Sequence, residues 1–348
     1  MREAVDAVLK YPFLEYFPYS HQFVGPIIKQ LKEQLLTLDI DLGGACNKRC
    51  RNCDTPCYDS PLSLEASDLE PYINEVRGIY VCGKGEPSFA KNGQMLHEIC
   101  KMAEKSGAIV STFSNIAELP SWMLQFIDSG VLHVLFKLDT LDKDKMLWFQ
   151  QEDHYDQTIK HLNQLKEVVH VKNGTTNLAA SLVPMKFNID EMSSLVEFCL
   201  ENNFYPNIGE LEEAGVSVGE TFQDLSVSQA QLAELQRYMT GQTGHDYKCP
   251  ICPGVFGVHI DNIGDIVVDE KTALSCCWFW NDNPRMNYLG NIKSNSFQQI
   301  SQRVIGARHS KIDEVKKLIA SGGIENQIFG GCGGNVSQLL SEYIHYFA

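Results

Sequence analysis

The sequence predicts an α/β chain, a partial (β/α)6 TIM-like barrel followed by a small cysteine-rich C-terminal domain. Two observations carry this. From residue 36 to about 211, six short apolar or alternating segments take turns with amphipathic helical stretches. That is the pattern of parallel strands with helices outside. After about residue 225 the alternation stops, and turn residues, a hairpin signal and five of the 12 cysteines follow. The expected division is therefore an N-terminal helical segment at 1–35, a barrel at 36–225 and a C-terminal domain at 226–348.

The elements follow in order. Leu36 to Leu42 alternates apolar and polar, so it reads as a strand, and Gly43-Gly44 ends it. Ile79–Cys82 is the second strand, with a helix near Gln94–Ser106. Ala108–Thr112 is the third, with a helix at 119–129, and Val131–Leu138 the fourth, with a helix near Tyr155–Leu165. Asn177–Val183 is the fifth, with a helix at 188–202, and Pro206–Leu211 the sixth. Ser228–Thr240 is helical, and Val255–Val268 reads as a hairpin around Asp261-Asn262-Ile263-Gly264.

Composition bounds the function. The chain has 348 residues, 44% of them hydrophobic and 21% charged, enough for a substantial core. Its net charge of −15 argues against nucleic acid, whose affinity rests on neutralised phosphates, and against anionic membranes. There is no signal-peptide core and no apolar run near the ~20 residues that cross a bilayer. The expected location is the cytoplasm. In that reducing compartment, clustered cysteines point to metal or catalysis rather than disulfides. Cys100 and Cys199 stand in amphipathic stretches and read as small buried hydrophobes.

Cys46, Cys50 and Cys53 form C-x3-C-x2-C directly after the first strand. Three thiolates of one loop can hold three irons of a 4Fe–4S cube and leave the fourth iron open for another ligand. A zinc site or a ferredoxin-like cluster completed by Cys57 is the rival reading.

With Cys82-Gly83-Lys84-Gly85-Glu86-Pro87 after the second strand, the sequence resembles the radical S-adenosylmethionine enzymes. Ser114-Asn115 ends the third strand, where that family often has Thr-Asn-Gly. Leu138-Asp139-Thr140-Leu141 ends the fourth, similar to the family's Ser-Leu-Asp segment. The resemblance implies that S-adenosylmethionine binds the open iron. It also implies that Gly83, Gly85, Glu86 and Pro87 meet its methionine part, with Ser114 and Asn115 nearby and Asp139 near the ribose. One electron then cleaves the sulfonium bond, giving methionine and a 5′-deoxyadenosyl radical that abstracts hydrogen from a substrate carbon. Flavodoxin or ferredoxin is the implied electron donor. Three positions depart from the family. Asn52 stands where an aromatic residue covers the adenine, Lys84 replaces a glycine, and Ile116 stands where the third-strand glycine is common.

Cys249-Pro250-Ile251-Cys252, Cys276-Cys277, Leu289-Gly290-Asn291-Ile292 and Cys332 resemble the SPASM extension of such enzymes, or its short twitch form. This implies one auxiliary 4Fe–4S cluster on Cys249, Cys252, Cys332 and either Cys276 or Cys277, with structural zinc as the alternative. Cys277 is the preferred ligand, because its spacing to Gly290 is close to the family's. Cys276 is then a candidate hydrogen-atom donor.

Glu210, Glu212 and Glu213 follow the sixth strand at the barrel mouth. They read either as a solvated acidic turn or as a site for a cationic group. The expected activity is hydrogen abstraction from a small metabolite, such as an amino sugar, undergoing oxidation, epimerisation or decarboxylation. The alternatives are a peptide maturase that crosslinks or oxidises a precursor, and an iron–sulfur electron carrier.

Overall fold

The computed structural model describes residues 37–53, 61–83, 85–172, 175–209, 211, 213, 215–243, 257–268, 287–306 and 317. The helical segment expected at 1–35 lies outside the described residues.

Six strands form where the sequence alternates: β1 (Thr37–Leu42), β2 (Gly78–Gly83), β3 (Ile109–Ser114), β4 (Leu132–Lys137), β5 (Leu178–Leu182) and β6 (Tyr205–Ile208). They pair in that order, all parallel. The crossovers carry helices α1 (Ala66–Ile73), α2 (Ala90–Ser106), α3 (Ser121–Asp128), α4 (Lys143–Gln150), α5 (Tyr155–Val168) and α6 (Met192–Glu201). Then come α7 (Glu220–Leu225) and α8 (Gln229–Thr243). The architecture is the α/β one expected, a parallel sheet with helices.

One sheet face packs under the helices. Leu38, Ile40, Leu42, Val81, Val110, Val134 and Phe136 share a core with Leu96, Ile99 and Cys100 of α2 and with Val196 and Cys199 of α6. Both cysteines are fully buried, as their helical positions suggested, and burial raises their pKa. Alternation turns the intervening residues to the opposite face. That face carries Asp39 and Asp41 of β1, Tyr80 of β2, Ser111 of β3, His133 and Lys137 of β4, and Ser181 of β5.

The hairpin expected at Val255–Val268 forms as β7 (Gly257–Ile260) and β8 (Asp265–Val268), and β9 (Asn287–Asn291) follows. These strands continue the barrel sheet. β7 adds parallel to β1, and β8 and β9 add antiparallel beyond it. Tyr72 of α1 donates to the Asn295 carbonyl at 2.8 Å, and Asn262 donates to the Pro61 carbonyl at 2.9 Å, tying this edge to the loop and helix after β1.

Three helices escaped the sequence reading. α1 is eight residues long and holds Pro71, normally a breaker signal. α4 (KDKMLWFQ) has little apolar periodicity, and it starts at Asp142, whose side chain accepts the Lys145 amide at 2.9 Å. α7 is only six residues long.

His259 of β7 bridges β1. Its Nδ1 lies 3.4 Å from Asp39 and its Nε2 3.3 Å from Asp41. Burial alone would lower its pKa, but hydrogen bonds to both carboxylates outweigh this and raise it to about 11. The native state therefore holds a proton that the unfolded chain releases near its ordinary value of 6.5. The resulting stability is complete below pH 6.5 and fades as pH rises toward about 11. Urea unfolding of wild type and His259→Gln should give a stability gap that narrows between pH 7 and 9.5, by at most about 1.4 kcal/mol per pH unit. A gap constant over that range would show that the imidazole is not held protonated.

Candidate functional site

β1 ends at Leu42, and residues 43–53 form a loop at the carboxyl ends of the strands, where barrel sites lie. Three anchors hold it. The Asn92 side chain of α2 donates to the Gly43 carbonyl at 2.8 Å and accepts from the Gly43 amide at 3.1 Å. The Glu86 amide donates to the Ala45 carbonyl at 2.8 Å. The C-terminal end of α4 supplies the third anchor. Its last carbonyls lack helical partners, and the Arg49 and Arg51 amides donate to Gln150 and Phe149 at 3.1 Å each. The Arg51 guanidinium donates to the Trp148 carbonyl at 2.9 Å and stacks over the indole at 4.5 Å.

Cys46, Cys50 and Cys53 rise from this loop as free, partly exposed thiols. Burial pushes the Cys46 thiol up to about 11, and burial raises Cys50 as well. Two lysines lie beside them. Lys48 is buried between the first two cysteines and donates to the Asn115 carbonyl at 3.1 Å. Lys137, at the end of β4, donates to Asn52 Oδ1 at 2.7 Å. Neither lysine was singled out by sequence reasoning, although Lys137 directly precedes Leu138-Asp139.

The segment after β2 folds against the same loop. Glu86 is buried, and its carboxylate accepts four hydrogen bonds. Ser88 gives its amide at 3.1 Å and hydroxyl at 2.7 Å, Ser114 its hydroxyl at 2.7 Å, and Asn115 its amide at 2.7 Å. Pro87 is buried beside it, and Gly83 ends β2 in register with Leu42. The Asn115 side chain reaches Asn47 Oδ1 at 2.9 Å and Cys46 Sγ at 3.8 Å. Thus Gly85, Glu86, Ser114 and Asn115 join Cys46 in one connected site.

Ile116 adopts φ 48°, a left-handed conformation that β-branched residues rarely take. The backbone thus makes the demand a glycine would meet without strain. Here Ile116 is fully buried instead, its amide donates to Ser114 Oγ at 3.0 Å, and His161 Nδ1 lies 2.7 Å from its carbonyl.

Asp139 is buried, and its two carboxylate oxygens make no hydrogen bond. Its nearest cation is Lys137, at 3.7 Å. Burial raises its pKa, and Lys137 and Lys48 work against the rise. A buried carboxylate with unmade bonds is costly, so the site is suited to a ligand that donates to it.

Glu213 is exposed and accepts the Gly219 amide at 3.1 Å, a bond within its own turn. Glu210, Glu212, Cys57, Cys249, Cys252, Cys276, Cys277 and Cys332 lie outside the described residues.

No protein-family model matches the chain, and no curated protein sequence does either. Solved structures do match. Streptococcus suis SuiB bound to S-adenosylmethionine aligns at a TM-score of 0.54 and 16% identity, covering 82% of this chain and 73% of that one. SuiB bound to the precursor peptide SuiA gives 0.57 and 17%, covering 83% and 72%. Native anSMEcpe with bound AdoMet and a Kp18Cys peptide gives 0.57 and 14%, covering 89% and 96%. The chain shares its fold with these S-adenosylmethionine-binding and peptide-bound structures.

The residues present fit what such a fold carries. Among the described residues, no three His, Cys, Asp or Glu side chains converge on a single metal ion. A cube asks instead for one thiolate on each of three irons. Burial disfavours bare thiolates at Cys46 and Cys50, and a cluster held there would supply positive charge alongside Lys48 and Lys137. Glu86, Asn115 and Asp139 surround the loop with acceptors and an amide.

Proposed function

We propose that the chain is a radical S-adenosylmethionine enzyme that abstracts a hydrogen atom from a biosynthetic substrate. The observation that carries this reading is the joining of Cys46, Glu86, Ser114 and Asn115 in one hydrogen-bonded site at the strand ends. Cys46, Cys50 and Cys53 would hold a 4Fe–4S cluster, which would supply the electron for opening the sulfonium bond. The chain's own residues bind and orient. The Gly85-Glu86-Pro87 segment with Ser114 and Asn115 meets the methionine end. Lys137 offers a cation for its carboxylate, and Asp139 accepts from the ribose. Asn52, engaged by Lys137, takes the place of an aromatic cover over the adenine.

Residues 226–348 hold the proposed auxiliary cluster on Cys249, Cys252, Cys332 and Cys276 or Cys277. A peptide substrate is the second reading, favoured by the fold neighbours holding SuiA and Kp18Cys peptides. Flavodoxin or ferredoxin is the proposed electron donor. Among the described residues no helix is long and apolar enough to cross a membrane.

Anaerobically reconstituted wild type should turn S-adenosylmethionine into 5′-deoxyadenosine and methionine when reduced by dithionite or flavodoxin. Iron-loaded protein that leaves S-adenosylmethionine intact under both reductants would make the chain an electron carrier instead.

A further inference from the structure

Asn47 follows the first cysteine of the loop, and its side chain carries a donor that the site above does not use. Its Nδ2 atom is buried and has no hydrogen-bond partner. A buried amide N–H ordinarily has one. This atom therefore marks a place where an acceptor belongs.

A chain of bonds fixes the direction of that amide. The Ala117 amide donates to Asn115 Oδ1 at 2.9 Å. A backbone N–H can only donate, so the Asn115 oxygen faces Ala117 and its Nδ2 faces the cysteine loop. There Asn115 Nδ2 donates to Asn47 Oδ1 at 2.9 Å and reaches Cys46 Sγ at 3.8 Å. Asn47 thus turns its oxygen to Asn115 and keeps its own N–H groups for another acceptor. Its backbone is held as well, with His154 Nε2 3.0 Å from the Asn47 carbonyl. The amide cannot swing toward a different partner without breaking the Asn115 bond.

Sulfur is the acceptor that fits. One nitrogen, Asn115 Nδ2, reaches both the Asn47 amide and Cys46 Sγ, so the Asn47 head group lies beside that thiol. A cube carried on Cys46 would bring thiolate and sulfide sulfurs to this place. Hydrogen bonds to such sulfurs favour the reduced cluster, which carries one more negative charge, and so raise its potential.

We propose that Asn47 Nδ2 donates to a sulfur of the cluster on Cys46, Cys50 and Cys53, and that this bond sets how easily the cluster is reduced. The inference rests on the cluster reading above. It adds a residue that tunes the cluster without binding iron.

The test is pulsed EPR of the reconstituted, reduced full chain after exchange into D2O. Asn47→Leu removes donor and acceptor together. Asn47→Asp keeps the oxygen that meets Asn115 and loses only the N–H. Each variant should lose one of the exchangeable deuterons coupled to the cluster in wild type, and both should keep wild-type iron. Their midpoint potentials should shift to more negative values, furthest in Asn47→Asp, which also adds a charge. Cleavage by the variants should fall with flavodoxin and recover with titanium(III) citrate, a stronger reductant. Deuteron couplings unchanged in both variants overturn the proposal. So does a coupling at Asn47 that appears only once S-adenosylmethionine is added, because the acceptor is then that molecule. Loss of the loop's iron from both variants would make Asn47 a structural residue and overturn it too. Wild-type cleavage with unchanged couplings sinks this inference alone, whereas wild type without a cluster signal sinks the cluster reading with it.

Discussion

Replacing Cys46, Cys50 or Cys53 by alanine should abolish 5′-deoxyadenosine formation. Each thiolate is proposed to bind a different iron of one cube, so no other side chain of the loop can take its place. Lys48 is held to the Asn115 carbonyl at 3.1 Å, and Asn47 is engaged by Asn115 at 2.9 Å. No slower route of the same chemistry remains, so the rate should fall to the background of the unassisted reaction, a loss of at least about six orders of magnitude. Iron content adds a second readout. Wild type should hold about eight irons per chain as two cubes, and a triple Cys46, Cys50 and Cys53 variant about four. Full cleavage activity in any single variant sinks the cluster assignment. Zinc without iron in the triple variant would make the C-terminal cysteines a structural site.

The barrel was legible because its strands alternate and its longer helices keep a steady apolar stripe. Leu38, Ile40 and Leu42 announce β1, and Met95, Leu96, Ile99 and Ala103 announce α2. The candidate site was legible through the family resemblance at Ser114, Asn115 and Asp139, and from the residues alone only where chemistry needs an unusual residue type at a fixed spacing. The three cysteines and Glu86 met that condition. Asn92 did not, since an asparagine inside a helix looks like a surface residue until its side chain is seen bracketing Gly43. α4 was hidden for a related reason. Its role is carried by backbone carbonyls at its end, and no residue type encodes those. His259 and Asp39 lie 220 positions apart, and only the parallel addition of β7 to β1 brings them together. Pairing partners across a sheet are set by register, which one sequence does not state.

Gly85→Ala should damage the same site without removing a cysteine of the loop. A Cβ at this position would lie 2.3 Å from the Ala45 carbonyl oxygen, 2.6 Å from that of Gly43 and 2.7 Å from the carbonyl carbon of Gly44. All three are backbone atoms of the cysteine loop, so no side chain can rotate away and the loop itself must move. That movement pulls on the Glu86–Ala45 hydrogen bond at 2.8 Å and on the two Asn92 bonds to Gly43. Overpacking of this kind costs about 1–3 kcal/mol in stability. The larger effect should fall on cleavage, since displacing a reacting group by about 1 Å can cost roughly a hundredfold in rate. Gly241→Ala is the matched control. It lies in α8 with open space around its Cβ position, so alanine there should leave activity unchanged and stabilise the helix by about 0.5–1 kcal/mol. The measurements are urea unfolding, iron content and the rate of 5′-deoxyadenosine formation for both variants. A Gly85→Ala protein with wild-type iron and wild-type cleavage would show that the cysteine loop does not depend on backbone contact with the segment after β2.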